Sequence, residues 1–163
     1  MKYINIFYLL LVLCVFVSCG DGDNNAIHYE SPVFDTSFEI LDKAGQAKTV
    51  FNHSEPVSFK INITNLTDKS QEMQFSSGQF YDINIFDSSE NLLWQWSYDL
   101  YFTQDTPLLN FKPNETKSFT ETWDQNLNNG DIADIGIYIV FVHSTGCGED
   151  LVVPGYIEIK PVK

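Results

Sequence analysis

Val57-Ser58-Phe59-Lys60-Ile61-Asn62-Ile63-Thr64 is the stretch that decides the fold. Its apolar residues fall at every second position. On a helix, with 3.6 residues per turn, they would scatter around the axis. On a strand they share one face and leave Ser58, Lys60, Asn62 and Thr64 to water. The segment reads as a half-buried strand. The same rhythm continues on both sides. A polar turn, Asn65-Leu66-Thr67-Asp68-Lys69-Ser70, leads to Met73 and Phe75. Tyr81, Ile83 and Ile85 alternate with Asp82, Asn84 and, less cleanly, Phe86. Asp87-Ser88-Ser89-Glu90-Asn91 turns the chain into Leu92-Leu93-Trp94-Gln95-Trp96-Ser97. Further strands are predicted around Phe111 and over residues 117–123, 136–143 and 156–160, with residues 34–41 and 49–51 before the central segment. Asn128-Asn129-Gly130-Asp131 is the clearest turn, because Asn and Gly tolerate positive φ. No segment offers ten residues of helical apolar spacing. The pattern predicts an all-β fold, an antiparallel immunoglobulin-like β-sandwich of seven to nine strands.

Composition narrows the function classes. The 163 residues carry 9 Lys, no Arg and 22 acidic groups, a formal charge of −13. Such a chain repels phosphate backbones, so no nucleic-acid partner is expected. The 13 Phe, 8 Tyr and 3 Trp suit strands and a packed core. With only Cys14, Cys19 and Cys147 present, the fold is expected to rest on its core.

The N-terminus carries its own chemistry. Lys2 precedes a nearly continuous apolar run from Ile4 to Val17, which ends at Ser18-Cys19-Gly20. That run is short for a membrane span of about 20 residues and suits a secretory signal. A small residue before cysteine resembles the bacterial lipobox, which implies a diacylglycerol thioether on Cys19 and cleavage before it. Phe16 is bulkier than the Leu usual at its position. The stretch Gly20-Asp21-Gly22-Asp23-Asn24-Asn25 reads as a flexible tether. Its acidic start resembles surface-export signals of some Gram-negative lipoproteins. A calcium loop over Asp21, Asp23 and Asn25 fails, because Ala26 and Pro32 stand where Gly and a bidentate Glu belong. The expected organisation is a signal peptide over residues 1–18, a lipidated Cys19 with its tether over 19–33, and one β-sandwich domain over 34–163. The chain is expected in the cell envelope, held by lipid at the outer membrane, on its periplasmic face or at the cell surface.

Candidate site residues are few. Trp94 and Trp96, two apart, share a strand face and are either core packing or an aromatic platform. Ser97-Tyr98-Asp99-Leu100-Tyr101-Phe102 is aromatic, lacks alternation and lies between strands. Aromatics on a loop are typical interface anchors, so Tyr98, Tyr101 and Phe102 are the candidate partner-binding residues. Ser77-Gly78-Gln79 reads as a bulge or turn. Cys147 sits between glycines with acidic neighbours, a setting that does not stabilise a thiolate, and reads as a plain free thiol. His28, His53 and His143 are scattered and cannot form a zinc site without carboxylate help. No nucleophile elbow, HExxH or phosphate-binding loop occurs. No catalytic residue, metal or cofactor is expected, and the chain is read as a non-enzyme.

A series of pieces, in order, resembles the BsuPI family of intracellular proteinase inhibitors. They are Phe75-Ser76-Ser77-Gly78-Gln79-Phe80-Tyr81-Asp82-Ile83, Leu93-Trp94-Gln95-Trp96-Ser97, Phe102-Thr103-Gln104, Pro113-Asn114-Glu115-Thr116, residues 119–123 and Gly136-Ile137-Tyr138. They cover about residues 55–143. The resemblance implies a β-sandwich and an ability to inhibit a serine protease. It departs in two places: the family's name describes an intracellular role, and Asn114 stands where the family commonly has Gly. The expected function is a lipid-anchored proteinase inhibitor acting by protein–protein contact. Its expected partners are the membrane, through Cys19, and a serine protease or another envelope protein. The alternative is a non-inhibitory envelope module that recognises a surface polysaccharide or protein.

Overall fold

A computed structural model describes residues 33–146 and 152–162. Within them the period-two segments become ten strands. In chain order these are β1 (Phe34–Leu41), β2 (Val50–Asn52), β3 (Val57–Asn65), β4 (Gln71–Gln74), β5 (Tyr81–Phe86), β6 (Leu92–Gln95), β7 (Leu108–Phe111), β8 (Thr116–Trp123), β9 (Gly136–Ser144) and β10 (Val152–Lys160). One sheet runs β1-β3-β8, a second β2-β10-β9-β5-β6, and β4 pairs with β7 alone. The signal, Cys19, the tether up to residue 32 and Cys147 lie outside the described residues.

The architecture is the expected all-β sandwich, with two differences of detail. There are ten strands rather than seven to nine, and β2 pairs with β10 in parallel, Val50 opposite Glu158. Both differences come from short strands. Three residues, as in β2, are too few to display alternation, and alternation carries no information about direction.

The core follows the pattern of the central segment. Val57, Phe59, Ile61 and Ile63 of β3 are all buried. Against the first three pack Ile83 and Ile85 of β5, Val140 and Val142 of β9, and Ile157 and Ile159 of β10. Ile63 belongs instead to a smaller cluster with Phe34, Met73, Phe75 and Phe111 under the β4–β7 pair, where Phe34 meets Phe111 edge-on at 5.1 Å. Each such side chain contributes about 1.5–3 kcal/mol by leaving water. β1 and β10 approach closely between the sheets. A Cβ on Gly155 would lie 2.5 Å from Cζ of Phe38, so the ring occupies the space that a side chain there would need.

Two polar residues inside the fold tie loops together. Asn65 donates to the carbonyls of Lys69 and Lys112 at 2.7 and 2.8 Å and accepts from Thr67. Gln125, fully buried at φ +69°, accepts from Ser54 N–H at 2.7 Å and donates to the carbonyls of Asn52 and Glu55. Asn114 has φ +56° in the turn before β8. That is the left-handed region, which Asn enters more readily than any residue but Gly. The substitution noted in the sequence therefore keeps the turn.

The two outer faces differ in chemistry. On the three-stranded sheet, the hydroxyl of Ser118 donates to Asn62 at 2.7 Å, and Lys60 pairs with Glu39 at 2.8 Å. Thr64 and Thr116 share a hydrogen bond across the strands at 2.9 Å. The five-stranded sheet instead presents Phe86, Ile137, Ile139, Phe141 and Tyr156, with Phe86 edge-on to Phe141 at 5.6 Å.

A pH dependence follows from Tyr81. Its hydroxyl donates to Glu121 at 2.5 Å. Burial, then the hydrogen bond and charge of Glu121, hold the phenol protonated well above its ordinary range. Tyr138 shifts the same way, through burial and then the charges of Asp134 and Asp87. A raised folded-state value means that these contributions are complete below about pH 10, the unfolded phenol value, and are lost as pH rises further. Melting temperature is expected to fall above about pH 10, and Tyr81→Phe should flatten that fall. An identical alkaline slope in the variant would show that Tyr81 contributes nothing to it.

Candidate functional site

The segment between β6 and β7 is built outward from Asp82. This residue lies on the outer face of β5, yet it is only 2% exposed. Its carboxylate accepts from Ile83 N–H at 2.9 Å, from Gln95 Nε2 and Ser97 Oγ at 2.6 Å each, and from Ser97 N–H at 3.2 Å. Four donors compensate for burying the charge. They also fix where the chain leaves β6. Trp96 N–H still reaches the carbonyl of Ile83 at 2.9 Å, and two tight turns follow, Tyr98 N–H to Gln95 and Leu100 N–H to Ser97.

Beyond the turns the loop is held twice more. Gly78 N–H donates to the carbonyl of Thr103 at 3.0 Å, and Phe75 N–H donates to that of Pro107 at 3.0 Å. A Cβ on Gly78 would stand 2.6 Å from Thr103 Oγ1, so a side chain there would force the Thr103 hydroxyl to move. The Ser77-Gly78-Gln79 bend is thus a seat for residue 103. Its sequence carried a turn signal, but nothing in it identified Thr103 as the neighbour.

The three candidate aromatics are placed differently. Tyr101 is fully exposed and Tyr98 is 60% exposed, with Leu100 open beside them. Phe102 is half-buried, its ring 5.7 Å from Trp96. Trp96 in turn stacks on Tyr81 at 4.8 Å, and Trp94 lies 6.0 Å from Trp123. Both tryptophans are half-buried against the main core, so they form no exposed row with Tyr98 or Tyr101. Phe102 thus fastens the loop to the sandwich while the two tyrosines face outward. A small groove of about 240 Å³ lined by Leu92, Leu93, Tyr98 and Leu127 opens at the side of the loop.

Among the described residues, no group of three or more His, Cys, Asp or Glu side chains converges to hold a metal ion. His143 lies opposite Asp82 in the ladder, but the carboxylate is committed to the donors named above. What the arrangement can do is present a short, firmly seated pair of tyrosines to another molecule.

No protein of curated function matches the sequence. Among solved structures, the β-glucosidase from Listeria innocua in complex with isofagomine matches at a TM-score of 0.47 and 15% identity. That match covers 80% of this chain, which spans only 16% of the glucosidase's length. The CARDB domain of a Pyrococcus furiosus protein, in complex with di-metal ions, matches at 0.45 and 13% identity, covering 83% of this chain and 99% of that one. The sporulation control protein Spo0M from Bacillus subtilis matches at 0.48 and 11% identity, covering 81% and 51%. A family model described as BsuPI, intracellular proteinase inhibitor, matches residues 45–146, from the turn after β1 to just beyond the end of β9. Over most of its length, therefore, this chain belongs to the BsuPI family of intracellular proteinase inhibitors.

Proposed function

We propose that the protein is an exported, lipid-anchored proteinase inhibitor that acts by contact and carries out no reaction of its own. The observation that carries this reading is the family match over residues 45–146, joined to an aromatic loop that is exposed at its tip and fastened at its base. A rigid loop meets a partner without a large ordering cost. The proposed partner is a serine protease, with Tyr98 and Tyr101 as the anchors. Titrating residues 26–163 against a panel of serine proteases tests it. A stoichiometric loss of activity of one of them is expected; undiminished activity across the panel would reject inhibition. The alternative, a polysaccharide-binding module, would want Trp94 or Trp96 in an exposed aromatic row, and both pack inward.

Tyr98→Ala combined with Tyr101→Ala is expected to weaken binding by at least about 1–2 kcal/mol, the scale that separates hot spots from bystanders. Melting should hardly change, since both rings face water. Undiminished binding by the double variant would rule out the loop as the contact.

The anchoring part of the proposal rests on Ser18-Cys19-Gly20 after the apolar run. It places the protein in the cell envelope, at the outer membrane. Cys19→Ala is expected to abolish fatty-acid labelling of the chain in cells. Labelling at the wild-type level in that variant would remove the lipid anchor from the account.

A further inference from the structure

β8 ends the three-stranded sheet with a bare margin. Asn65 N–H donates to the carbonyl of Glu115, so in the ladder that follows Lys117, Phe119, Glu121 and Trp123 turn their backbone groups toward β3. Thr116, Ser118, Thr120 and Thr122 turn theirs outward. Among the described residues nothing bonds to those N–H and C=O groups, and all four residues are exposed. Such a row of unpaired donors and acceptors is a template for another strand. β8 contains neither Pro nor Gly, and its ladder with β3 runs without a bulge. Other margins are blunted. Gln95 N–H of β6 donates to Asn128 Oδ1, and Asn128 N–H to the carbonyl of Leu93. On β10, β2 covers residues 158–160, and Pro154 has no N–H to offer. β1 turns Asp35 and Glu39 outward, so a strand like itself would meet acid with acid.

The charges on β8 select the strand that fits. They lie on its inward side, Lys117 and Glu121, two residues either side of Phe119. Inward charges usually guard an edge against pairing. Here they have opposite sign and equal spacing from Phe119, which makes the strand complementary to its own reverse. In an antiparallel pair of β8 strands with Phe119 opposite Phe119, Lys117 faces Glu121 of the second copy and Glu121 faces its Lys117. The same register sets Ser118 opposite Thr120 and Thr116 opposite Thr122, the residues whose backbone groups are free. Centring the pair on Ser118 would set Glu121 opposite Glu115, and centring it on Thr120 would set Lys117 opposite Trp123 and Glu121 opposite Phe119. Only the register about Phe119 matches the charges. Both retain bonding capacity: Glu121 accepts the Tyr81 hydroxyl through Oε1, and the Lys117 ammonium meets Glu115 only at 3.4 Å.

We propose that β8 is a self-complementary edge through which two copies of this chain pair, two-fold symmetric about Phe119, joining their three-stranded sheets into one. The two-fold axis makes the Lys117–Glu121 contact twice. The long-range repulsion of two chains of charge −13 is screened over about 8 Å at physiological salt, which leaves the local pattern to decide. The proposal does not rest on inhibition and leaves the tyrosine loop as a separate surface.

The test is sedimentation equilibrium of the full chain in dodecyl maltoside micelles matched to the solvent density. The wild type is expected to pass from monomer to dimer as its concentration rises. Lys117→Glu and Glu121→Lys should each weaken association at least about tenfold, because like charges then face each other twice. Mixed in equal amounts, the two variants should associate as tightly as the wild type, since each supplies the charge that the other lacks. Tyr98→Ala with Tyr101→Ala should stay dimeric. Should a charge variant not fold, exposed cysteines in a Cys147→Ser background report the same register. Two copies of Thr120→Cys would lie about 7–8 Å apart on the diagonal and should cross-link through a short bismaleimide. Two copies of Thr116→Cys would lie roughly 20 Å apart and should not. A wild type that stays monomeric, folded charge variants that still pair, a mixture that does not restore pairing, or equal cross-linking at both cysteines would overturn the proposal. So would a dimer lost in the tyrosine variant, because the loop would then be the contact.

Discussion

Trp123→Ala is expected to destabilise the domain by about 3–5 kcal/mol and to lower its melting temperature by roughly 10–20 °C. Trp123 is 1% exposed, at the end of β8 opposite Val57. Its ring packs 6.0 Å from Trp94 and 6.1 Å from Tyr138, and its indole N–H donates to the carbonyl of Asn126 at 2.8 Å. Alanine removes the ring from between two others and leaves a void that a close-packed interior cannot fully close. It also leaves the Asn126 carbonyl without this donor. Out of a total stability of about 5–15 kcal/mol, the loss is large. Trp123→Phe keeps much of the volume and should fall between the two. Thermal melting followed by circular dichroism measures all three; a Trp123→Ala protein that melts with the wild type would show that the tryptophan packing is not as described.

Asp82→Ala is the second large effect, expected at about 2–4 kcal/mol because buried donors lose their acceptor. Gln95 Nε2, Ser97 Oγ and Ser97 N–H all point at this carboxylate. The alanine variant should lose more than stability. Those bonds fix where the chain leaves β6, so the tyrosine loop should loosen, and partner affinity should fall even at temperatures where the variant is folded. Asp82→Asn retains one acceptor oxygen and should lie between wild type and alanine in both measurements. Hydrogen exchange at residues 96–100 distinguishes local from global loss. Unchanged protection there in Asp82→Ala would mean that the loop is held by Phe102 and Thr103 alone.

How far the sequence could be read depended on strand length. β3, β5, β8 and β9 are long enough to show their period, and their more and less buried positions follow from it except at Asp82 of β5. Trp123 was legible as core because Ser118, Thr120 and Thr122 make the other face polar. β2 and the β4–β7 pair were legible as segments but not as partners, since pairing across sequence leaves no trace in a run of three or four residues. The buried polar residues were not legible. Asn65 and Gln125 look like ordinary turn residues, and only the carbonyls gathered around them in space explain their burial. Asp82 looked like the solvated side of an alternating strand and proved to be the anchor of the candidate site. The loop itself was visible as an aromatic break in alternation. That its third aromatic faces inward was not, because Trp96 and Phe102 meet through the turn between them.

The joining of β2 to β10, with Phe38 of β1 seated over Gly155, also sets the order of events during synthesis. Val50 and Glu158 are paired although more than a hundred residues separate them. At about 5–20 residues per second, the first strands are made on the order of ten seconds before their last partner exists. During that interval the five-stranded sheet lacks β10, and Phe51 and Phe38 lack the surface that covers them. Contacts so distant along the chain place folding in the slow regime of β-rich domains, roughly milliseconds to seconds after the chain is complete. Until β10 has been made, the native sandwich cannot close.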